Sequence, residues 1–305
     1  MNAQIFVPAS PGAGASASAT SDDSGRADSI TRSMSAADGF VCLATSISAD
    51  AAQRAHALHL KADPEILHKL RVALRRLRSL WWAYEPLLDK KDSALQREEF
   101  KSLANAAGKT RDWDILRDLL TADRSAQRTF SALLASVDEH RADALSFSRR
   151  TIGNADVERI LRHALTGARQ QLDARSPCPT LASFAEDRVA SAEKALRKRV
   201  RQAASDKHSG YVALHEVRIA GKKLRYLLEF FLPVLDGSHQ AAIDRLTAVQ
   251  NELGKLNDLV TSETLLREYA FQLGESKVLK EAVAYLQEQK KHHMHHAHEA
   301  LRTAW

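Results

Sequence analysis

Apolar residues recur every three or four positions from Asp38 onward, with charged and amide residues between them. That spacing predicts helices almost throughout. No run alternates apolar and polar residues between turn signals, so no sheet is expected. Phe40 to Lys61 reads as a first helix. Asp63-Pro64-Glu65 reads as the start of a second: an acceptor for free amides, a ring with preset φ, then an acid at the positive end of the dipole. This helix runs to about Glu85, where Pro86 stops it. A third begins near Ser93 and continues through Leu120, with a kink or break expected at Gly108. Residues 123–150 and 155–174 read as two more, around Gly153-Asn154. ARSPCPT, with Pro177 and Pro179, is the clearest boundary. The same order then restarts: Leu181 to Ala204, a turn from Asp206 to Gly210, a helix bounded by Pro233, a long helix over 238–273, and a last one from about Glu275. Residues 1–35, rich in Ala, Ser and Gly, read as a disordered tail that cannot bury enough apolar surface to order itself.

Two stretches in this pattern repeat each other. His68 to Arg78 is HKLRVALRRLR, and His215 to Arg225, 147 residues later, is HEVRIAGKKLR. Each has a His followed by basic residues at the third, seventh, eighth and tenth positions. On a helical wheel Arg71, Arg75 and Arg78 fall within roughly 80° of His68. Leu67, Leu70, Leu74, Leu77 and Trp81 fill the adjacent sector. In the second copy His215, Arg218, Lys222 and Arg225 form the stripe beside Leu214, Val217, Gly221, Leu224 and Leu228. Arg76 and Lys223 point elsewhere. Solubilising charges usually lie opposite the apolar face and alternate in sign. Here one sign runs along the edge of the core, and like charges at these spacings repel by a few tenths of a kcal/mol per pair. Something anionic must offset this. Acids from neighbouring helices and a polyanionic ligand both satisfy the pattern.

A second repeated feature follows each stripe: Gly108-Lys109 with Asp112, and Gly254-Lys255 with Asp258. The expected fold is therefore all-α, with two tandem-repeat bundle halves, residues 36–177 and 178–303, related by an approximate twofold around a basic central groove or pore.

Composition narrows the partners. The 305 residues are 44% hydrophobic, with a net charge of +6 and a pI near 9.3, which favours anionic partners. Two cysteines, Cys42 and Cys178, without a CxxC, indicate no disulfide framework or structural zinc. No membrane-spanning run or secretory signal is read, so the cytoplasm is expected. In the C-terminal KKHHMHHAHEA, His292, His295 and His296 could share a face, but no acid or cysteine completes a ligand set. His and Lys also suit a helix C-terminus. No metal or cofactor is expected. Asp112 and Asp258 lack a paired base or metal set and read as residues that orient the cations. Trp82 extends the first stripe and could stack on a base, yet its counterpart is Glu229, so core or rim is the better reading.

HxxRxxxRRLR, then HxxRxxxKKLRY, with a Gly-Lys-x-x-Asp turn after each, resembles the CHAD domain, the conserved histidine α-helical domain, over about residues 36–303. The resemblance implies two helical halves around a basic channel that binds inorganic polyphosphate. Some members carry a triphosphatase domain of the CYTH type, whose ExExK signature is absent here; others associate with polyphosphate or polyester storage granules. Carried over to this chain, the ligand-facing residues are His68, Arg71, Arg75, Arg78, His215, Arg218, Lys222 and Arg225. Arg76 and Lys223 match the motif although the wheel turns them away. Lys109 and Lys255 match the later motif, and Arg111 does so where the second copy has Asn257. Polyphosphate has no bases to read, so its recognition is electrostatic and geometric. Arg forks and Lys point charges about 5 Å apart along rigid helices suit it. The expectation is a non-enzymatic polyphosphate binder at intracellular granules. A nucleic-acid binder using the same groove, a polyester-granule interaction protein with internally paired stripes, and an unrecognised phosphohydrolase are the alternatives.

Overall fold

The computed structural model describes residues 30–304 except 62, 123, 206–209 and 275. Residues 1–29 of the expected tail, and most of the turn expected at Asp206 to Gly210, lie outside them. The described residues form helices α1 (Ala36–Leu60), α2 (Pro64–Ala83), α3 (Lys90–Ala106), α4 (Lys109–Leu120), α5 (Arg124–Thr129), α6 (Ser131–Asn154), α7 (Val157–Asp173), α8 (Leu181–Ser205), α9 (Tyr211–Phe231), α10 (Gln240–Glu268) and α11 (Ser276–Ala304). Among them there is no strand; an isolated bridge pairs Ser35 with Thr180.

Local chemistry sets the ends. Helix α1 starts ahead of Phe40 because the Ser35 hydroxyl accepts the Asp38 amide at 3.0 Å and donates to its carboxylate at 2.6 Å, a reciprocal cap. The Asp63 carboxylate caps α2 through the Glu65 amide at 2.9 Å, with Pro64 in the first turn. That helix ends at Ala83, just ahead of the expected Glu85, since a residue before proline avoids the helical region. The break at Gly108 separates α3 from α4.

Residues 30–35 correct the tail boundary. The Leu181 and Ala182 amides donate to the Met34 and Arg32 carbonyls at 2.8 and 3.3 Å. The Arg32 guanidinium reaches the Val234 carbonyl at 2.7 Å and the carboxylates of Asp236 and Glu186 at 2.7 and 3.4 Å. Low-complexity composition ends before these contacts begin.

Two cores hold the helices. The larger buries Leu67, Leu70, Leu74, Leu77 and Trp81 of α2 together with Leu214, Val217, Leu224 and Leu228 of α9. At its centre Phe40 meets Trp81 and Tyr84, each at 4.9 Å, and Tyr84 meets Phe184 at 4.5 Å. Each fully buried large side chain contributes about 1.5–3 kcal/mol. The smaller core joins Trp113, Leu116 and Leu120 of α4 to Phe130, Leu133, Leu259, Leu266 and Leu286. Both cores draw on residues before and after 177, so neither sequence repeat has a core of its own. Helix α10 crosses from one to the other: Leu253 and Leu256 belong to the larger, Leu259 and Leu266 to the smaller.

Candidate anion-binding site

The apolar sectors of α2 and α9 are buried as the wheel requires, and the cations lie along their edges. Arg71, Arg75, Arg218, Lys222 and Arg225 are half-buried and Arg78 is exposed. The two helices contact each other, as do α4 and α10. The stripes face one another closely enough that the charges of Arg75 and Arg71 on α2 act on Lys222 of α9.

Three cavities surround this meeting point. One of about 580 Å³ is lined by His68, Arg71, Arg75, Arg78, Lys109 and Arg111, with Asp112 and Asp258. One of about 490 Å³ adds Trp82, Lys223 and Tyr226 to Arg75, Arg78 and Lys222. The largest, about 910 Å³, is lined by Lys222, Arg225, Arg245 and Lys255. Arg218 reaches all three. Together they gather thirteen lysines and arginines against four carboxylates, a surplus of nine, whereas the whole chain carries +6. The rest of the molecule is therefore net acidic, and the basic charge is concentrated here.

The surplus is not neutralised by salt bridges. Among the described residues, Arg71, Arg75, Arg76, Arg78, Lys109, Arg111, Arg218, Lys222 and Lys223 have no carboxylate within 4.0 Å. Asp112 and Asp258 therefore act on the stripe cations from beyond ion-pair range, Asp112 on Arg71 and Asp258 on Arg218. Burial pushes both carboxyls above the usual range, against the pull of Arg71 on Asp112 and of Arg218 on Asp258. Burial likewise lowers Arg71, with Asp112 opposing it, and lowers Arg218, helped by Arg75. The largest effect falls on Lys222. Burial first, then the charges of Arg75, Arg218, Arg225 and Arg71, bring its ammonium down to about 6.

The largest cavity is electrically quieter. Arg225 pairs with Glu229 at 2.7 Å, and Lys255 with Glu252 at 2.8 Å. Unpaired cations thus concentrate in the two smaller cavities.

The histidines differ in surroundings. His68 lines the 580 Å³ cavity and its buried Nδ1 has no hydrogen-bond partner among the described residues. His215 lies 3.2 Å from the Tyr211 hydroxyl, which donates to Asn257 Oδ1 at 3.1 Å. A hydroxyl has one proton to give, so the imidazole Nδ1 must be the donor in this chain. Burial lowers both imidazoles, helped by Arg111 at His68 and Arg218 at His215, so they become charged only below the ordinary range. At Asn257, where the first repeat has Arg111, the side chain carries the hydrogen bonds from His215 and Tyr211 on to the Thr261 hydroxyl at 3.5 Å.

Gly108 and Gly254 match in sequence but not in use. A Cβ on Gly108 would lie 1.4 Å from Arg71 Nη1, so only glycine lets that guanidinium cross the α3–α4 junction. A Cβ on Gly254 would meet nothing within 4 Å.

Of the residues expected to face a phosphate ligand, Arg76 and His215 line none of the three cavities; Arg76 sits 5.7 Å over the Phe230 ring. Lys223 departs from its wheel position. Its long stem bends back to place Nζ 4.6 Å over Trp82 at a cavity edge. Sequence reasoning missed Lys101, Arg97 and Arg245. Lys101 pairs with Glu98 at 2.8 Å and Arg97 with Glu85 at 3.3 Å. Such pairs look like ordinary surface charge, and no repeat marks Arg245. At the C-terminus His292 and His296 approach through Nε2 at 2.9 Å. Among the described residues no group of three or more His, Cys, Asp or Glu side chains could hold a metal.

Fold and site together define an all-helical protein with a concentrated, unpaired cation cluster between two facing helices. A profile of the CHAD domain family matches residues 47–267, and the chain belongs to that family. The crystal structure of the CHAD domain from the plant Ricinus communis superposes with a TM-score of 0.79 at 24% identity, covering 92% of this chain and 94% of that one. PptA from Streptomyces chartreusis superposes at 0.61 and 18% identity, covering 89% and 99%. These likenesses are of fold. No curated protein matches the chain in sequence. Among the described residues no helix is long and apolar enough to cross a membrane.

Proposed function

We propose that the protein binds inorganic polyphosphate, without catalysing its turnover, in a basic groove between two repeat halves related by an approximate twofold. The observation that carries this is that Arg71, Arg75, Arg78, Arg218 and Lys222 of the facing stripes have no carboxylate in ion-pair range among the described residues. Structural charges normally find partners, and clustered like charges repel. A linear polyanion offsets that repulsion along the whole groove. Membership of a family linked to polyphosphate binding supports the choice of ligand. The contacts of α2 with α9 and of α4 with α10 support the twofold, because each joins corresponding parts of the two repeats. The same unpaired cations disfavour an interaction protein whose stripes are satisfied internally. Granules that store polyphosphate are the proposed place of action in the cell.

Calorimetric titration with long-chain polyphosphate at two salt concentrations tests the reading. If about six cations contact phosphates, the logarithm of affinity falls with the logarithm of salt at a slope near −4. Arg75→Ala with Lys222→Ala is expected to abolish binding. No binding by the wild-type protein, or equal competition by RNA at the same phosphate concentration, refutes it. Release of orthophosphate from polyphosphate by the protein refutes the non-catalytic part.

A further inference from the structure

Trp82 stands where α2 reaches the 490 Å³ cavity. Lys223 Nζ of α9 lies 4.6 Å from its ring centroid and Arg188 Cζ of α8 lies 5.0 Å from it. Arg188 also donates to the Trp82 carbonyl at 3.4 Å, which accepts the Glu85 amide at 3.3 Å as well. One indole thus ties α2 to both α8 and α9. Lys223 has no carboxylate within 4.0 Å among the described residues; the ring is its close partner, and the Glu85 carboxylate acts on it from farther away. At the corresponding position of α9 stands Glu229, which neutralises Arg225 at 2.7 Å. The same register position therefore holds a cation in place without cancelling it in one repeat, and cancels it in the other.

We propose that Trp82 is a positioning residue for the anion site. Its π system holds Lys223 at the cavity edge as an uncancelled charge, and the engagement of the ring by Lys223 and Arg188 withdraws it from nucleobase stacking. Exposed tryptophans beside basic grooves usually favour single-stranded nucleic acid, because every base has a face to stack. Here the groove offers charge without a free aromatic platform, which favours a polyanion without bases. The inference rests on the polyphosphate reading for its ligand, but the clamp itself is a property of the free protein.

Two measurements separate these layers. In the first, lysines are ¹³C-dimethylated and the Lys223 methyl resonance, assigned with Lys223→Arg, is followed without ligand. A ring-current shift in the wild type that vanishes in Trp82→Leu and persists in Trp82→Phe is expected; an unshifted resonance in the wild type overturns the clamp whatever the protein binds. The second titrates long-chain polyphosphate and a thymidine homopolymer of matched phosphate number. Trp82→Leu is expected to weaken both by the same factor, about fivefold. Trp82→Phe should restore affinity, and Trp82→Leu should add no loss in a Lys223→Met background. A selective loss of DNA binding in Trp82→Leu would show a stacking platform and overturn the proposal. Losses that multiply in the double variant would do the same. If the wild type binds no polyphosphate, the functional reading fails while the resonance still decides the clamp.

Discussion

Polyphosphate binding should draw about one proton from solution onto Lys222. In the free protein its ammonium titrates near 6, held down by burial and by Arg75, Arg218, Arg225 and Arg71, so about 3% is charged at pH 7.5. A phosphate charge at about 5 Å, with an effective dielectric near 20, stabilises the ammonium by about 3 kcal/mol, or roughly two pKa units. Two such phosphates carry the group well above neutrality. Titration at pH 7.5 in buffers of different ionisation enthalpy reads the proton count as the slope of observed heat against buffer enthalpy. The wild type is expected to exceed Lys222→Met by about one proton. His68, Arg71, Asp112 and Asp258 line the neighbouring cavity, and the Lys222 charge also acts on Asp258 and His215, so Lys222→Arg, which keeps that charge, serves as the second reference. Near pH 5 the difference should vanish, because Lys222 is already charged. Lys222→Arg keeps a fixed charge and should show no such uptake, while binding up to about thirtyfold tighter at pH 7.5, since the protonation cost of roughly 2 kcal/mol is gone. The sign in the free protein is the reverse of a stabilising pair. Between about 6 and 10.5 the native state binds fewer protons than the unfolded chain, so stability climbs with pH across that window. Equal proton counts in wild type and Lys222→Met, with binding intact, would refute the placement of Lys222 in the site.

Two further outcomes follow from the site's asymmetry. Gly108→Ala should displace the Arg71 guanidinium, costing about three- to tenfold in polyphosphate affinity with little change in Tm, because the obstructing atom is the tip of a flexible side chain. Gly254→Ala should be neutral in both assays. Glu229→Gln removes the carboxylate 2.7 Å from Arg225 and should tighten binding a few-fold at low salt, with the gain screened at high salt; a loss of affinity would place Arg225 outside the ligand's path.

The helices and their order were legible from apolar periodicity, since the spacing that buries one face is written in the residues themselves. The wheel placed Leu67 to Trp81 and Leu214 to Leu228 in the core and the cations at its edge, because side-chain direction on a helix follows from 3.6 residues per turn. The repeat pointed to the two stripes before any geometry was known. Helix ends were less legible where a single cap decided them, as Ser35 and Asp38 did for α1.

What the chain alone determined, then, is an all-helical protein with duplicated cation stripes flush against its apolar faces. Whether those stripes were paired with acids could not be read from one helix at a time, because ion pairing depends on which side chains a neighbouring helix brings within a few ångströms. Only tertiary structure decided that Arg71, Arg75, Arg218 and Lys222 converge unpaired while Arg225 and Lys255 are neutralised. Tertiary structure also turned Lys223 onto Trp82 and passed Arg71 over Gly108, since a long flexible stem takes its direction from what it packs against. The depressed ammonium of Lys222 has the same origin: burial and four converging cations exist only once α2 and α9 face each other.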